Sequence, residues 1–323
     1  MGKNHIYDAN CERGQLPDNA SESDRHRFAE ELRLASIIDL RSTTEHNIAA
    51  NRQLTTQLLS NGNAKLLPGS QPRSIANDEH LVQLPGVHRI MISLAGWNFE
   101  KLLLWRLSWF NILKAITLLA SGYRNAATKV VVEQAMVPRG LNGLAHDTLT
   151  ASQEEIKELF RRLGDHDVYP TLIHCTQGKD RTGLVIILLL LLAGSPDSDE
   201  DVPNETKEEE ERGENINAGA GLRDGDTDVR GAPVGPLERC RIPLSAITRD
   251  YRMSEDELIP ELEERLAEMQ AMGLPAEYAN CSTGFTEEVV RFLEEGYGGV
   301  RGYLKAIGVE DGVVESVRGL LVA

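Results

Sequence analysis

An α/β fold, a largely parallel central sheet flanked by helices with a helical C-terminal part, is what this 323-residue sequence predicts. Three observations carry the prediction. Short β-branched apolar runs (ASIIDL, VHRIMISL and TLIHC) read as buried strands. Helix-period stretches stand between them, so the strands must cross over to pair in parallel. From about residue 243 onward the periodic text is helical only.

Taken in order, residues 1–16 show no periodicity and are expected to be loose or truncated, which would leave the sheet short of an edge strand. Ser21 precedes Asp24 by three positions, the spacing of a capping box, and Phe28 and Leu32 follow at i, i+4, so a short helix opens there. ASIIDL is the first strand, ending in the polar RSTTEH, and VHRIMISL is the second. Trp97 to Ala120 reads as one helix with leucines at 102, 103, 107, 113, 118 and 119. Ser152 and Glu155 predict a capped helix through Leu163, ended by Gly164, with TLIHC after it. Ser254 and Glu257 predict another capped start, and the chain closes in helices broken by Gly298, Gly299, Gly302 and Gly308.

Residues 195–239 break the pattern. They hold fourteen Asp/Glu against five Lys/Arg, a net of -9 within a chain of -16, with many Gly, Pro and Asn. This composition predicts a disordered acidic insertion into a single domain spanning 17–323, read as a solvated loop. The acidic balance argues against a general nucleic-acid binder, while leaving room for a local positive field at a site. The four cysteines form no CxxC pair, and no metal-ligand spacing occurs, so reduced thiols and no metal or cofactor are expected. The N-terminus lacks the apolar core of a secretory signal, and the run from Leu184 to Ala193 is well short of the ~20 residues of a membrane span. A soluble, cytoplasmic protein is the expectation.

The stretch HCTQGKDRTG, 174–183, carries the chemistry. A strand ends at His174–Cys175 and a helix starts near Arg181–Thr182, so the polar loop between can aim its N–H groups inward at a helix N-terminus, a setting that binds a dianion. The same field stabilises a thiolate at Cys175. Arg181 offers a planar fork for two phosphoryl oxygens, which lysine would not match. A thiolate attacking phosphorus gives a cysteinyl-phosphate that water then hydrolyses, with Thr182 placed to donate to the sulfur as it leaves.

HCTQGKDRTG resembles the signature loop of cysteine-dependent phosphatases, and its Gly-Lys-Asp-Arg-Thr-Gly ending resembles the atypical tyrosine phosphatase-like branch of bacteria and fungi. DNASESDRHRFAEELRLASIIDLRSTTEH, AITRDYRMSEDEL and GYGGVRGYLKAIGV are similar to further stretches of that family, over about 17–193 and 243–323. The resemblance implies the cysteine-phosphatase fold and a phosphomonoesterase acting on phosphotyrosine, with phosphoserine/threonine or phosphoinositides as further substrates of the branch. It implies Cys175 as nucleophile and Arg181 as phosphate-binding arginine, with Thr176, Gln177, Gly178, Lys179 and Asp180 completing the loop. Lys179 matches a lysine that lipid-active members use near the substrate; the other reading is an exposed surface lysine. His174 is expected to orient the loop, and Asp39 and Arg41 match the family's Asp-Leu-Arg-Ser strand end, Arg41 holding the loop through an ion pair. The acidic insertion has no counterpart in the resemblance, and residues 1–16 lack the usual N-terminal segment.

A departing oxygen needs a proton, and no Trp-Pro-Asp loop occurs to supply one. Asp180 is the candidate inside the loop; the alternative is a carboxylate that bonds loop amides or pairs with Lys179. Asp147, Asp165 and Asp167 are further carboxylates, the last two at the opposite end of the strand. Trp97, Trp105 and Trp109 are expected in the core or between helices, with a hydrophobic groove or peripheral membrane contact as the alternative. Against the active enzyme stand two other readings: a silent phosphate-binding scaffold, and sulfur transfer or arsenate reduction. The Arg-Thr-Gly ending and the lack of a nearby resolving cysteine weigh against the latter.

Overall fold

A computed structural model describes residues 6–8, 20–47, 49–50, 81, 84–196, 241–259 and 262–322. Four parallel strands form one sheet: β1 (Ile6–Asp8), β2 (Ser36–Asp39), β3 (His88–Met91) and β4 (Thr171–His174), in the spatial order β1-β4-β2-β3. The two inner strands, SIID and TLIH, are buried at every position, as a parallel sheet covered on both faces requires. Ser36 Oγ donates to Thr171 Oγ1 at 2.7 Å, tying their starts together.

β1 corrects one part of the expectation for residues 1–16, the missing edge strand; of that stretch only residues 6–8 are described. Ile6, Tyr7 and Asp8 pair with Thr171, Leu172 and Ile173, so the sheet has the edge strand that the sequence reading denied it. Three residues are too few to show an alternating pattern, which is why it went unseen. The acidic insertion lies outside the described residues, apart from its first two positions.

Helices flank the sheet. The capping box at Ser21 forms as expected: Ser21 Oγ accepts from Asp24 N, and Ser21 N donates to Asp24 Oδ2 at 2.9 Å, opening α1 (Glu22–His26). The single helix expected from Trp97 to Ala120 is two, α2 (Trp97–Arg106) and α3 (Trp109–Ala120). Ser108 causes the break by capping α3, its Oγ accepting from Asn111 N. Next come α4 (Arg124–Val131) and α5 (Gly140–Ala151), neither of which the sequence reading identified. α6 (Gln153–Leu163) ends at Gly164 as predicted. Its Ser152 does not cap it, because the hydroxyl donates to Leu94 O at 2.8 Å and joins the helix to the strand side of the core.

α7 (Asp180–Gly194) follows β4 directly and is the centre of the fold. Leu184, Val185, Ile187, Leu188, Leu189, Leu191 and Leu192 are all buried. A helix buried nearly all round must have neighbours on every side, and α7 packs against α5, α8 (Leu244–Glu257), α11 (Val300–Ala306) and α12 (Asp311–Val322). α8 starts well before Ser254, so that serine stands in a last turn and not at the expected N-cap. α9 (Leu262–Met272) and α10 (Phe285–Tyr297) complete the helices.

Glycines set two of these contacts. A Cβ on Gly302 would stand 1.8 Å from Tyr297 O, so this glycine allows α11 to cross the end of α10 and does not end a helix, as had been expected of it. A Cβ on Gly183 would stand 2.7 Å from the Tyr251 ring, so only glycine lets α8 lie against the first turn of α7. Gly183→Ala is therefore expected to destabilise the protein by about 1–3 kcal/mol through overpacking. Gly319→Ala, in open space on α12, should stabilise by about 0.5–1 kcal/mol through helix propensity. Urea midpoints of the two variants check the pair, and equal shifts would reject the packing account.

Candidate active site

Parallel strands place their C-terminal ends, Asp39, Met91 and His174, on one edge of the sheet, the edge where ligands settle in open α/β sheets. Residues 175–179 curl between β4 and α7 on that edge. Gly178 adopts φ 69°, a left-handed conformation that favours glycine. Cys175 is 3 % exposed at the base of the loop. The α7 backbone begins with Gly183 N donating to Lys179 O at 2.7 Å, so the N–H groups before it lie outside the helical ladder and beside the loop.

Arg181 is held in place by a residue that the sequence reading quoted without a role. Its two terminal nitrogens donate to Glu45 Oε2 at 2.7 Å and Oε1 at 2.5 Å, a bidentate pair, and Nη1 also donates to Leu40 O at 3.3 Å. Thr176 Oγ1 donates to Glu45 Oε1 as well. Glu45 in turn is fixed by Ser42, whose N and Oγ each donate to Oε2 at 2.9 Å. This is a capping box opening the helical residues 43–47, and Ser42-x-x-Glu45 was its visible signal. Burial opposes ionisation of Glu45, but the Arg181 charge and hydrogen bonds, with Ser42 and Thr176, outweigh it and bring the carboxyl to about 2. Burial likewise opposes the Arg181 charge; Glu45 chiefly, then Cys175 and Asp180, raise it well above the usual range.

Beneath the loop lies a second anion. Asp39, fully buried, accepts from Arg41 Nε at 2.9 Å and Nη2 at 2.6 Å and from Arg89 Nη1 at 3.2 Å. His174 Nε2 stands 3.4 Å and His46 Nε2 3.6 Å from its Oδ2. Burial would raise the Asp39 pKa, yet Arg41, His174 and His46 hold it well below the usual carboxylate range. Arg41 was expected to hold the loop through an ion pair; its partner is Asp39, at the end of β2. Arg89 was missed, although an arginine within the strand VHRIMISL was a signal for a buried partner. Burial pushes His174 down to about 4 against the pull of Asp39, and its Nδ1 faces Cys175 O at 3.1 Å. The carbonyl can only accept, so Nδ1 carries the proton and orients the loop start.

Lys179 is wholly buried and is no surface lysine. Its Nζ donates to Asp180 Oδ1 and Oδ2 at 2.9 and 2.7 Å and to Asn280 O at 3.1 Å. Tyr251 OH donates to Asp180 Oδ1 at 3.3 Å and stacks its ring on Phe285, centroids 4.6 Å apart. Tyr251 and Asn280 are further residues given no role from sequence; together with Lys179 they tie the loop to the C-terminal helices. Gln177 is half-buried in the loop, and Thr182 Oγ1 is buried with no hydrogen-bond partner, the expected bond to the Cys175 sulfur not being formed. Asp147 is not at the loop: Arg106 and Arg139 bind it, joining α2 to α5. Asp165 and Asp167 lie at the far end of β4, where Asp165 caps a short 3-10 turn. Among the described residues no group of three or more His, Cys, Asp or Glu side chains is placed to hold a metal ion.

Glu45 has a folded pKa near 2 against an ordinary 4.5, so its ion pair contributes fully above the higher value and is lost as pH falls toward the lower. Glu45→Gln should cost about 3 kcal/mol at neutral pH and flatten the acid limb of stability between those values. Thermal unfolding against pH measures this; an unchanged acid limb would show that Glu45 is not held as described.

A family model described as "Tyrosine phosphatase family" matches residues 3–200 and 237–323. The match begins ahead of the edge strand β1, which removes the apparent departure at the N-terminus, and its gap falls within the acidic stretch. No curated protein matches the chain. With a parallel α/β sheet that ends in the Cys175–Arg181 loop, and with this match over most of its length, the chain belongs to the tyrosine phosphatase family.

Proposed function

We propose that this protein is a cysteine-dependent phosphomonoesterase that removes phosphate from phosphotyrosine through a cysteinyl-phosphate intermediate. Its membership of a phosphatase family supports the reaction class. The observation that carries the finer reading is the bidentate Glu45–Arg181 pair above Cys175, because it fixes the guanidinium fork beside the one thiol of the loop. A fork held in advance loses little freedom when a phosphoryl group arrives. In this reading the Cys175 thiolate attacks phosphorus, Arg181 and the loop amides of Thr176–Asp180 carry the equatorial oxygens, and water attacks the phosphocysteine in the second step. Thr182, with its buried hydroxyl unpartnered, is assigned to the sulfur as it leaves.

The leaving-group proton is assigned to Asp180. Of the two carboxylates at the loop, Glu45 is held at about 2 by Arg181 and carries no proton at neutral pH. Asp180 faces an ammonium and a phenol, and its side chain is 30 % exposed.

Cys175→Ser should abolish turnover of a phosphotyrosine peptide, and Arg181→Lys should weaken it by orders of magnitude while the fold persists. Turnover by Cys175→Ser equal to that of the parent would reject the nucleophile. Asp180→Asn should slow an alkyl phosphate by roughly 10²–10⁴ and a nitrophenyl phosphate far less. Equal slowing of both would reject Asp180 as the acid and leave it as the partner of Lys179.

A further inference from the structure

The three tryptophans are the chain's only ones, and none is in the core. Trp97 is 69 % exposed, and Trp105 and Trp109 are 77 % exposed. Neither of the packing roles expected for them is present, and their neighbours are exposed too. On α3, Trp109, Phe110, Leu113, Ile116 and Leu119 are each at least half exposed. At 3.6 residues per turn these positions fall on one continuous face of about half the helix circumference. On α2, Trp97, Leu104 and Trp105 share a stripe by the same spacing, and Lys101 lies within it. With aromatic side chains of roughly 150–250 Å² each, the apolar surface exposed by the two helices together is on the order of 1,000 Å².

Charge identifies the partner. Residues 97–120 carry Lys101, Arg106 and Lys114 against Glu100 alone; with Arg106 paired to Asp147, the two lysines still leave a positive surplus in a chain whose net charge is -16. Lys101 and Lys114 are both exposed, the first within the apolar stripe of its helix and the second at the edge of the exposed face of α3. Long cationic side chains beside an aromatic face suit a surface whose interior is apolar and whose boundary is anionic. Tryptophan is also the side chain best suited to the headgroup level of a bilayer. No helix among the described residues is long and apolar enough to span a membrane, so the contact would be interfacial. We propose that the α2–α3 segment docks this protein onto an anionic lipid bilayer, lying in the interface with the tryptophans and Phe110 inserted. Trp97 follows β3 by six residues, after the strand end that lies on the same side of the sheet as the end of β4.

Because every tryptophan lies on this segment, intrinsic fluorescence of the full-length protein reads this surface alone. Vesicles of phosphatidylcholine with phosphatidylserine should shift the emission to the blue and carry the protein in flotation; phosphatidylcholine alone should do so more weakly. Lys101→Glu with Lys114→Glu should lower partitioning roughly tenfold or more. Trp105→Ser with Trp109→Ser and Phe110→Ser should abolish flotation, and both variants should turn over a soluble aryl phosphate as the parent does. The proposal fails if vesicles leave the emission unchanged, or if the variants float like the parent. It also fails if sedimentation shows a dimer, lost in the aromatic variant, whose formation excludes vesicles, which would make the segment a self-association surface. Turnover of the soluble phosphate is read separately, so the docking proposal and the catalytic proposal can fail independently.

Discussion

The pair between Glu45 and Arg181 is the constraint on which the site depends. A guanidinium at a helix start is free to swing out into solvent unless something holds it. Glu45 holds both terminal nitrogens, and Ser42 and Thr176 hold Glu45. The loop after β2 and the loop after β4 are thereby joined at Arg181. Such a pair costs desolvation and is weak evidence for stability, but it specifies geometry, and removing one partner leaves a charge stranded.

Below that pair the buried Asp39 does related work. Two arginines satisfy it and two imidazoles stand close, so β3 and the C-terminal ends of β2 and β4 share one anchored charge cluster. Beyond the loop, Lys179, Asp180, Tyr251 and Asn280 extend the polar chain into the C-terminal helices. The absence of a side chain at Gly183 is what lets Tyr251 approach. Three layers of interaction thus meet at one seven-residue loop: strand ends beneath, a capping-box helix to one side and α8 to the other.

Much of this was legible in the sequence. The buried strands SIID and TLIH, the apolar run of α7 and the capping box at Ser21 follow from local pattern, because burial and capping are written in adjacent residues. Cys175, Arg181 and their loop were legible because strand, polar turn and helix are consecutive. Glu45, Arg89, Tyr251 and Asn280 were not, since their roles depend on partners 136, 50, 71 and 101 positions away. Ser152 and Ser254 show the opposite error: the spacing of a capping box was present, but tertiary contact or an earlier helix start took precedence. The tryptophans were misplaced because large aromatics are usually buried, and only the fold reveals that α2 and α3 turn theirs outward.

The central claim is that Cys175 carries the phosphoryl group between substrate and water. Rapid quench in alkaline denaturant during turnover of a nitrophenyl phosphate, followed by mass spectrometry of the peptide containing Cys175, reads that step. Phosphate is expected on that peptide at a level that rises within the first turnover and is absent in Cys175→Ser. Sustained turnover with no phosphate on Cys175 at any quench time would contradict it.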